Sequence, residues 1–388
     1  MSGLTILRNA QVYAPQPLGQ VEVFLGGREV LGIGGIEPNS TATEVDLDGL
    51  TLIPGLIDLH AHLTGGGGEG GAESRVPAVP LSAFTLAGVT TVVGLLGTDC
   101  VTRSIAENLA CARALSALGL TAFCYTGGYV VPPVTLTGSV RGDIVHVDRI
   151  VAVGEVAISD HRSSQPTFEE IARLAADAHV AGMMTKKAGV LHLHLGDGPR
   201  GLELVRRALA ETEIPPRTFH PTHCNRNPAL WEEAKVLTKL GCTIDVTAFP
   251  ADDPPMDGAP TAGRAIFQAW RGAIALDRLT VSSDAGGCMP RFDPDGVLLG
   301  MTVGTAATLL DAVFEAVGMG VPLEFALPPV TSTAAKHFRL RGKGEVAVGA
   351  DADLVAVDVV GRVVHVWAGG RQLVRDGVAL VKGGFEVG

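Results

Sequence analysis

Residues 55–62 read GLIDLHAH. The run follows Pro54, carries Leu56, Ile57 and Leu59, and ends on His60 and His62 before a glycine-rich loop, LTGGGGEGG (63–71). A short apolar run bounded by Pro and Gly reads as a buried strand. Side chains on a strand alternate with a period of two, so the imidazoles of His60 and His62 point to one face, at the strand's C-terminal end.

Outward from this strand the same design repeats. Apolar strand-like runs occur at TTVVGLLG (90–97), TAFCYTG (121–127), VGEVAIS (153–159), GVLHLHLG (189–196), TFHPTH (218–223), TIDVTA (243–248) and LTVSSD (279–284). Between them lie helical patterns such as SIAENLACARALSALG, TFEEIARLAADAHVAG and PALWEEAKVLTKLG. Strands alternating with helices predict a (β/α)8 TIM-like barrel over residues 54–342. Residues 1–53 and 343–388 are strand-rich, broken by Gly, Asn and Pro, and are expected to pair as one small β domain.

The 388 residues are 46% hydrophobic and 18% charged, enough for a large core. The net charge of −11 argues against a nucleic-acid partner, which needs a basic face. The chain has no apolar run of roughly 18 residues, so no membrane partner is expected. Cysteines 100, 111, 124, 224, 242 and 288 form no CxxC pair. They read as reduced thiols, and with no secretory h-region at the N-terminus the expected location is cytoplasmic.

The active sites of such barrels sit at the C-terminal ends of the strands. His60 and His62 end the first strand there, His194 the fifth, His223 the sixth and Asp284 the eighth. His192 lies one layer deeper, where packing is expected. His220 is the competitor of His223; it lies three residues back and is therefore expected on the opposite face. Asp284 suits a ligand or a general base; the bland alternative is a helix N-cap. Four His and one Asp can hold two divalent metal ions, zinc being the expected identity. Two such ions usually share a carboxylate, for which Glu155 in the fourth strand is the natural bridge. The alternative for Glu155 is a solvated strand-end charge.

PGLIDLHAH, HLHLGD, PTHCNRN, SSDAGG and the closing GKGEVAVGADADLVAVD together resemble the amidohydrolase superfamily. LTGGGGEGG, GLLGTD, TGGYVVPPVTLTGSV and AISDHRSS resemble its isoaspartyl dipeptidase family, over about residues 3–386. The resemblance implies a metal-bearing barrel with a β-sandwich built from both chain ends, hydrolysis of a β-aspartyl dipeptide, and assembly as a homo-oligomer. It implies that His60 and His62 bind one metal, His194 and His223 the other, and that Asp284 is ligand and proton shuttle. Tyr129 would reach the scissile carbonyl, Glu69 would hold the substrate amino group, and Arg162 and Arg226 its carboxylates. Gly67 and Thr98 would line the aspartyl end. Structural ion pairs are the alternative for both arginines, loop packing for Tyr129, and a solvated loop charge for Glu69. Two positions depart from the family pattern. Glu155 stands where the family has a carboxylated lysine, and Cys288 where it has a serine; Lys186 and Lys187 lie at the wrong end of the fifth strand to substitute. An acidic, proline-rich insertion at 250–263 is expected at the barrel mouth. Other amidohydrolase chemistry, on a cyclic amide or an N-acyl amino acid, and a scaffold without chemistry are the competing readings.

Overall fold

The computed structural model describes residues 3–35, 42–293 and 295–386. Residues 1, 2, 36–41, 387 and 388 of the expected β domain, and residue 294 of the expected barrel, lie outside them.

The barrel strands are Leu56–Ala61 (β1), Val89–Gly94 (β2), Thr121–Thr126 (β3), Ile150–Ile158 (β4), Leu191–Leu195 (β5), Phe219–Thr222 (β6), Ile244–Thr247 (β7) and Leu279–Ser282 (β8). β1 to β6 form one parallel sheet in sequence order, and β7 and β8 a parallel pair. Backbone bonds close the ring. Cys224 N–H donates to Asp245 O at 3.1 Å beside β6 and β7. Asp284 N–H donates to His60 O at 3.1 Å, and His62 N–H to Ala285 O at 2.7 Å, across β8 and β1. The strands are buried on both faces, as parallel sheets covered by helices require.

The crossover helices start where local chemistry predicts. Ser104 caps Ile105–Leu118 by accepting from Glu107 N–H, and Gly119 follows it at φ 123°. Thr167 and Glu170 make a reciprocal capping box at Phe168–Thr185. Asn227 caps Pro228–Lys239, with the proline at the first helical position.

Both chain ends contribute to one two-layer β structure. A seven-stranded sheet runs Val378–Ala379, Arg371–Arg375, Val363–Ala368, Leu354–Val357, Thr51–Pro54, Gln11–Tyr13, Pro17–Gln20. A four-stranded sheet runs Glu29–Ile33, Val23–Gly26, Thr5–Arg8, Thr43–Asp46. Leu7, Val12, Leu25, Leu52, Leu354 and Trp367 share one apolar core, as in a sandwich.

Several elements escaped the periodicity. Short helices occur at Val140–His146, Ala262–Trp270, Leu323–Ala326 and Ser332–Phe338. An antiparallel hairpin, Cys288–Phe292 with Leu298–Val303, follows β8. Its second strand, LLGMTV, carries Leu299, Met301 and Val303 on its more exposed face, so no apolar-in, polar-out alternation marks it as a surface hairpin.

Candidate active site

Glu155 projects from β4 into the barrel mouth and is 1% exposed, so it is not a solvated strand-end charge. Its two oxygens face different histidine pairs. Oε1 is 3.6 Å from His60 Nε2 and 3.5 Å from His62 Nε2. Oε2 is 3.1 Å from His194 Nδ1 and 3.5 Å from His223 Nε2. Asp284 Oδ1 lies 3.4 Å from His60 Nε2 and 3.1 Å from His62 Nε2. Two nitrogen or oxygen ligands of one tetrahedral ion at 2.0–2.1 Å stand about 3.3 Å apart, so these separations suit shared ions. The shorter Glu155 thus spans both pairs without the extra reach of a lysine carbamate.

Backbone geometry aims these groups. Gly154 has φ 149°, and a Cβ there would meet His192 O at 2.6 Å, so glycine is required beside the Glu155 position. A Cβ on Gly97 would come within 2.7 Å of His62 Cε1. His223 and Asp284 both lie just past their strands, at φ 58° and 55°. The left-handed turn swings His223 inward. Strand parity therefore does not separate it from His220, which also faces the barrel interior, against His192. No helix starts at Asp284, which excludes the N-cap alternative; the hairpin at Cys288–Phe292 comes next.

The donor set fits a cation. His60 Nε2 and Asp284 Oδ1 are buried and make no hydrogen bond. Orphaned buried polar atoms on facing groups are what a metal ligand set looks like. Burial would strip the proton from His60, but the charges of Glu155 and Asp284 outweigh it and raise its pKa to about 9. Burial likewise opposes ionisation of Asp284, yet the positive fields of His60 and His62 hold its carboxyl far below the usual range. A field that draws a proton onto His60 also draws a divalent cation.

The remaining predicted residues surround a cavity of about 620 Å³ over this centre, which Gly67, Thr98 and Arg226 help to line. Tyr129, on the loop after β3, is 5% exposed, and its hydroxyl lies 2.8 Å from His194 Nδ1. Burial keeps its phenol protonated, well above the ordinary range. Arg162 makes the ion pair that was its alternative, a bidentate one to Asp160 at 3.0 and 2.7 Å. Its Nη1 still faces Glu69 Oε1 at 3.5 Å. Arg226 Nη1 lies 3.6 Å from Asp197 Oδ2. Glu69 is not a solvated charge: its Oε2 is buried without a partner. Burial, then the Glu69 charge, pushes the Cys288 thiol up to about 12, so it is a neutral, weak donor. Lys187 donates to the carbonyls of Ile144, Val147 and Ile150 and takes no part in the site.

Three contributors were not read from the sequence. Asp160 Oδ2 accepts from His194 Nε2 at 2.9 Å as well as from Arg162, so one carboxylate orients a candidate ligand and a candidate substrate arm. Its place two residues before Arg162 was the available signal. Asp253, in the 250–263 insertion, accepts from Thr302 and faces Arg291 at 3.9 Å, tying the insertion to the hairpin; both segments line the cavity. His192, expected to pack, hydrogen-bonds His60 at 2.9 Å.

A family profile described as "Amidohydrolase family" matches residues 51–373. A β-aspartyl dipeptidase from Fervidobacterium islandicum AW-1, solved in complex with the dipeptide β-Asp-Leu, is 42% identical; the match covers 99% of this chain and all of that one, with a TM-score of 0.92. A second structure of a β-aspartyl dipeptidase from that organism is 41% identical over the same shares, with a TM-score of 0.89. Dihydropyrimidinase from Brevibacillus agri NCHU1002 shares the fold at 17% identity, over 97% of this chain and 96% of that one, with a TM-score of 0.69. Among the described residues no helix is long and apolar enough to cross a membrane. A ring of parallel strands, four histidines and two carboxylates at its mouth, and this likeness over nearly the full length make the chain a hydrolase that belongs to the amidohydrolase family.

Proposed function

We propose that the chain hydrolyses the side-chain amide bond of β-aspartyl dipeptides at a centre holding two divalent cations, zinc the expected identity. The observation that carries this reading is Glu155, with one oxygen toward His60 and His62 and the other toward His194 and His223. The substrate class follows from the groups around the cavity and from the β-Asp-Leu bound by the 42%-identical relative. In this reading the chemistry lies in residues 54–342, and 1–53 with 343–388 form the small β domain.

His60, His62 and Asp284 would hold one cation, His194 and His223 the other, with Glu155 between them. When bound, such a pair would lower the pKa of a water and polarise an amide carbonyl. Asp284 is placed to take the proton of that water and deliver it to the leaving amine. The Tyr129 hydroxyl, held protonated, donates to the carbonyl oxygen as negative charge develops there. Arg162 Nη1, the guanidinium nitrogen that Asp160 does not hold, and the Arg226 guanidinium bind carboxylates, and Glu69 binds the α-ammonium group. A cyclic amide or an N-acyl amino acid has no ammonium group for Glu69 to meet. A scaffold without chemistry has no use for a full set of facing ligands.

The test is hydrolysis of β-Asp-Leu by the purified protein, with metal content measured on the same sample. Turnover with about two ions per chain is expected. Two ions without turnover would refute the substrate, and no bound metal would refute the centre.

A further inference from the structure

Behind His60 a file of hydrogen-bonded side chains crosses the buried interior of the barrel. His60 Nδ1 is 2.9 Å from His192 Nε2. His192 Nδ1 is 2.9 Å from His220 Nδ1 and 3.0 Å from the His220 carbonyl oxygen. His220 Nε2 is 2.9 Å from Thr280 Oγ1, which donates to Asp245 Oδ1 at 2.6 Å. Asp245 Oδ2 accepts from Thr222 and Ser282 at 2.7 and 2.5 Å. All three rings and Asp245 are 0% exposed.

A neutral imidazole has one N–H and one bare nitrogen, so each pair admits two directions. Two acceptors that cannot donate settle the direction. The Asp245 carboxylate takes the Thr280 proton, leaving the Thr280 oxygen to accept from His220 Nε2–H. The His220 carbonyl takes His192 Nδ1–H, which leaves His192 Nε2 bare to accept from His60 Nδ1–H. A proton of His60 is thereby fixed on Nδ1, and Nε2, which faces Glu155 and Asp284 at 3.6 and 3.4 Å, is the one nitrogen left to meet a cation. We infer that His192, His220 and Thr280 form a tautomer relay, anchored on Asp245, that sets His60 as an Nε2 ligand of the first cation, with His192 its positioning residue.

The inference rests on the two-cation reading of the site, but it can be tested apart from it. Imidazole ¹⁵N–¹H correlation spectra of the metal-free protein should show His192 as the Nδ1–H tautomer and His220 as the Nε2–H tautomer; the opposite tautomer at either ring overturns the relay whatever the protein binds. In the loaded enzyme, His192→Phe keeps the ring's shape and removes the acceptor, while His192→Gln supplies an amide oxygen. Loss of an outer-shell partner costs about 10–100-fold in metal affinity. Chelator titration should therefore strip one of two ions from the Phe variant about 10–100-fold more readily than from wild type, and the Gln variant should retain it. Gln binding no better than Phe would assign His192 to packing and overturn its role. A wild type that binds no metal, with the tautomers as stated, would refute the proposed function and leave the relay standing.

Discussion

Glu155→Asp removes one methylene from the proposed bridge and leaves charge and chemistry unchanged. The four contacts now span 3.1–3.6 Å. Withdrawing the carboxylate by one C–C bond, about 1.5 Å, moves its oxygens to about 4.6–5 Å from the same nitrogens if β4 stays in place. Two ligands of one tetrahedral ion need a separation of about 3.3 Å, so neither histidine pair would still share an ion with the carboxylate. The strand has little freedom to follow, because Ile150–Ile158 is buried throughout and pairs with β3 and β5. The expected cost exceeds the roughly 10–100-fold in affinity that loss of an outer-shell partner brings, and it falls on both ions. Metal content after dialysis against a graded chelator series measures this directly, with circular dichroism to establish that the variant is folded. A folded Glu155→Asp protein that keeps two ions at wild-type affinity would refute the bridging geometry.

Asp284→Asn should lower turnover of β-Asp-Leu by about 10²–10⁴-fold while the histidine-bound metal remains; full activity would remove Asp284 as proton carrier. Tyr129→Phe should cut kcat by about 10²–10³-fold with little change in KM, and a change confined to KM would place the hydroxyl in ground-state binding only. His337, whose ring centroid lies 4.6 Å from that of His220, gives a stability prediction. Burial, then the charges of Arg217, Arg278 and Arg339, lowers its pKa to about 3 from an ordinary 6.5. A depressed histidine contributes stability that is present above pH 6.5 and lost as pH falls toward 3, because the unfolded chain takes the proton first. Urea denaturation of His337→Phe should show a pH slope between 6 and 4 that is shallower than wild type by about 1.4 kcal/mol per pH unit; equal slopes would show that His337 titrates normally.

Much of the site was legible because it lies at strand ends. The HxH of β1, His194 and Asp284 each close an apolar run, so period and position suffice to place them at the barrel mouth. His223 shows where that logic stops. Parity along a strand assumes extended backbone, and His223 sits one residue beyond β6 at φ 58°, where parity has no meaning. For Arg162 the family resemblance implies a carboxylate-binding arm and the alternative is a structural ion pair; two of its nitrogens are held by Asp160, a contact that its spacing permits but does not compel.

By itself the sequence determined the alternation of strand and helix, the β-rich ends, and the candidate ligands His60, His62, Glu155, His194, His223 and Asp284. These follow from local periodicity and from residue chemistry, which a linear string carries. Only the tertiary structure decided what depends on contacts far apart in the chain. It closes β8 onto β1 through Asp284 and His60. It turns the two oxygens of Glu155 toward two histidine pairs, and it ties the 250–263 insertion to the hairpin through Asp253 and Thr302. It also makes His192 a hydrogen-bond partner of His60 across 132 residues of chain. The direction of a hydrogen bond between two imidazoles is set by what lies at the far end of the file, and that is a property of packed strands, not of any one of them.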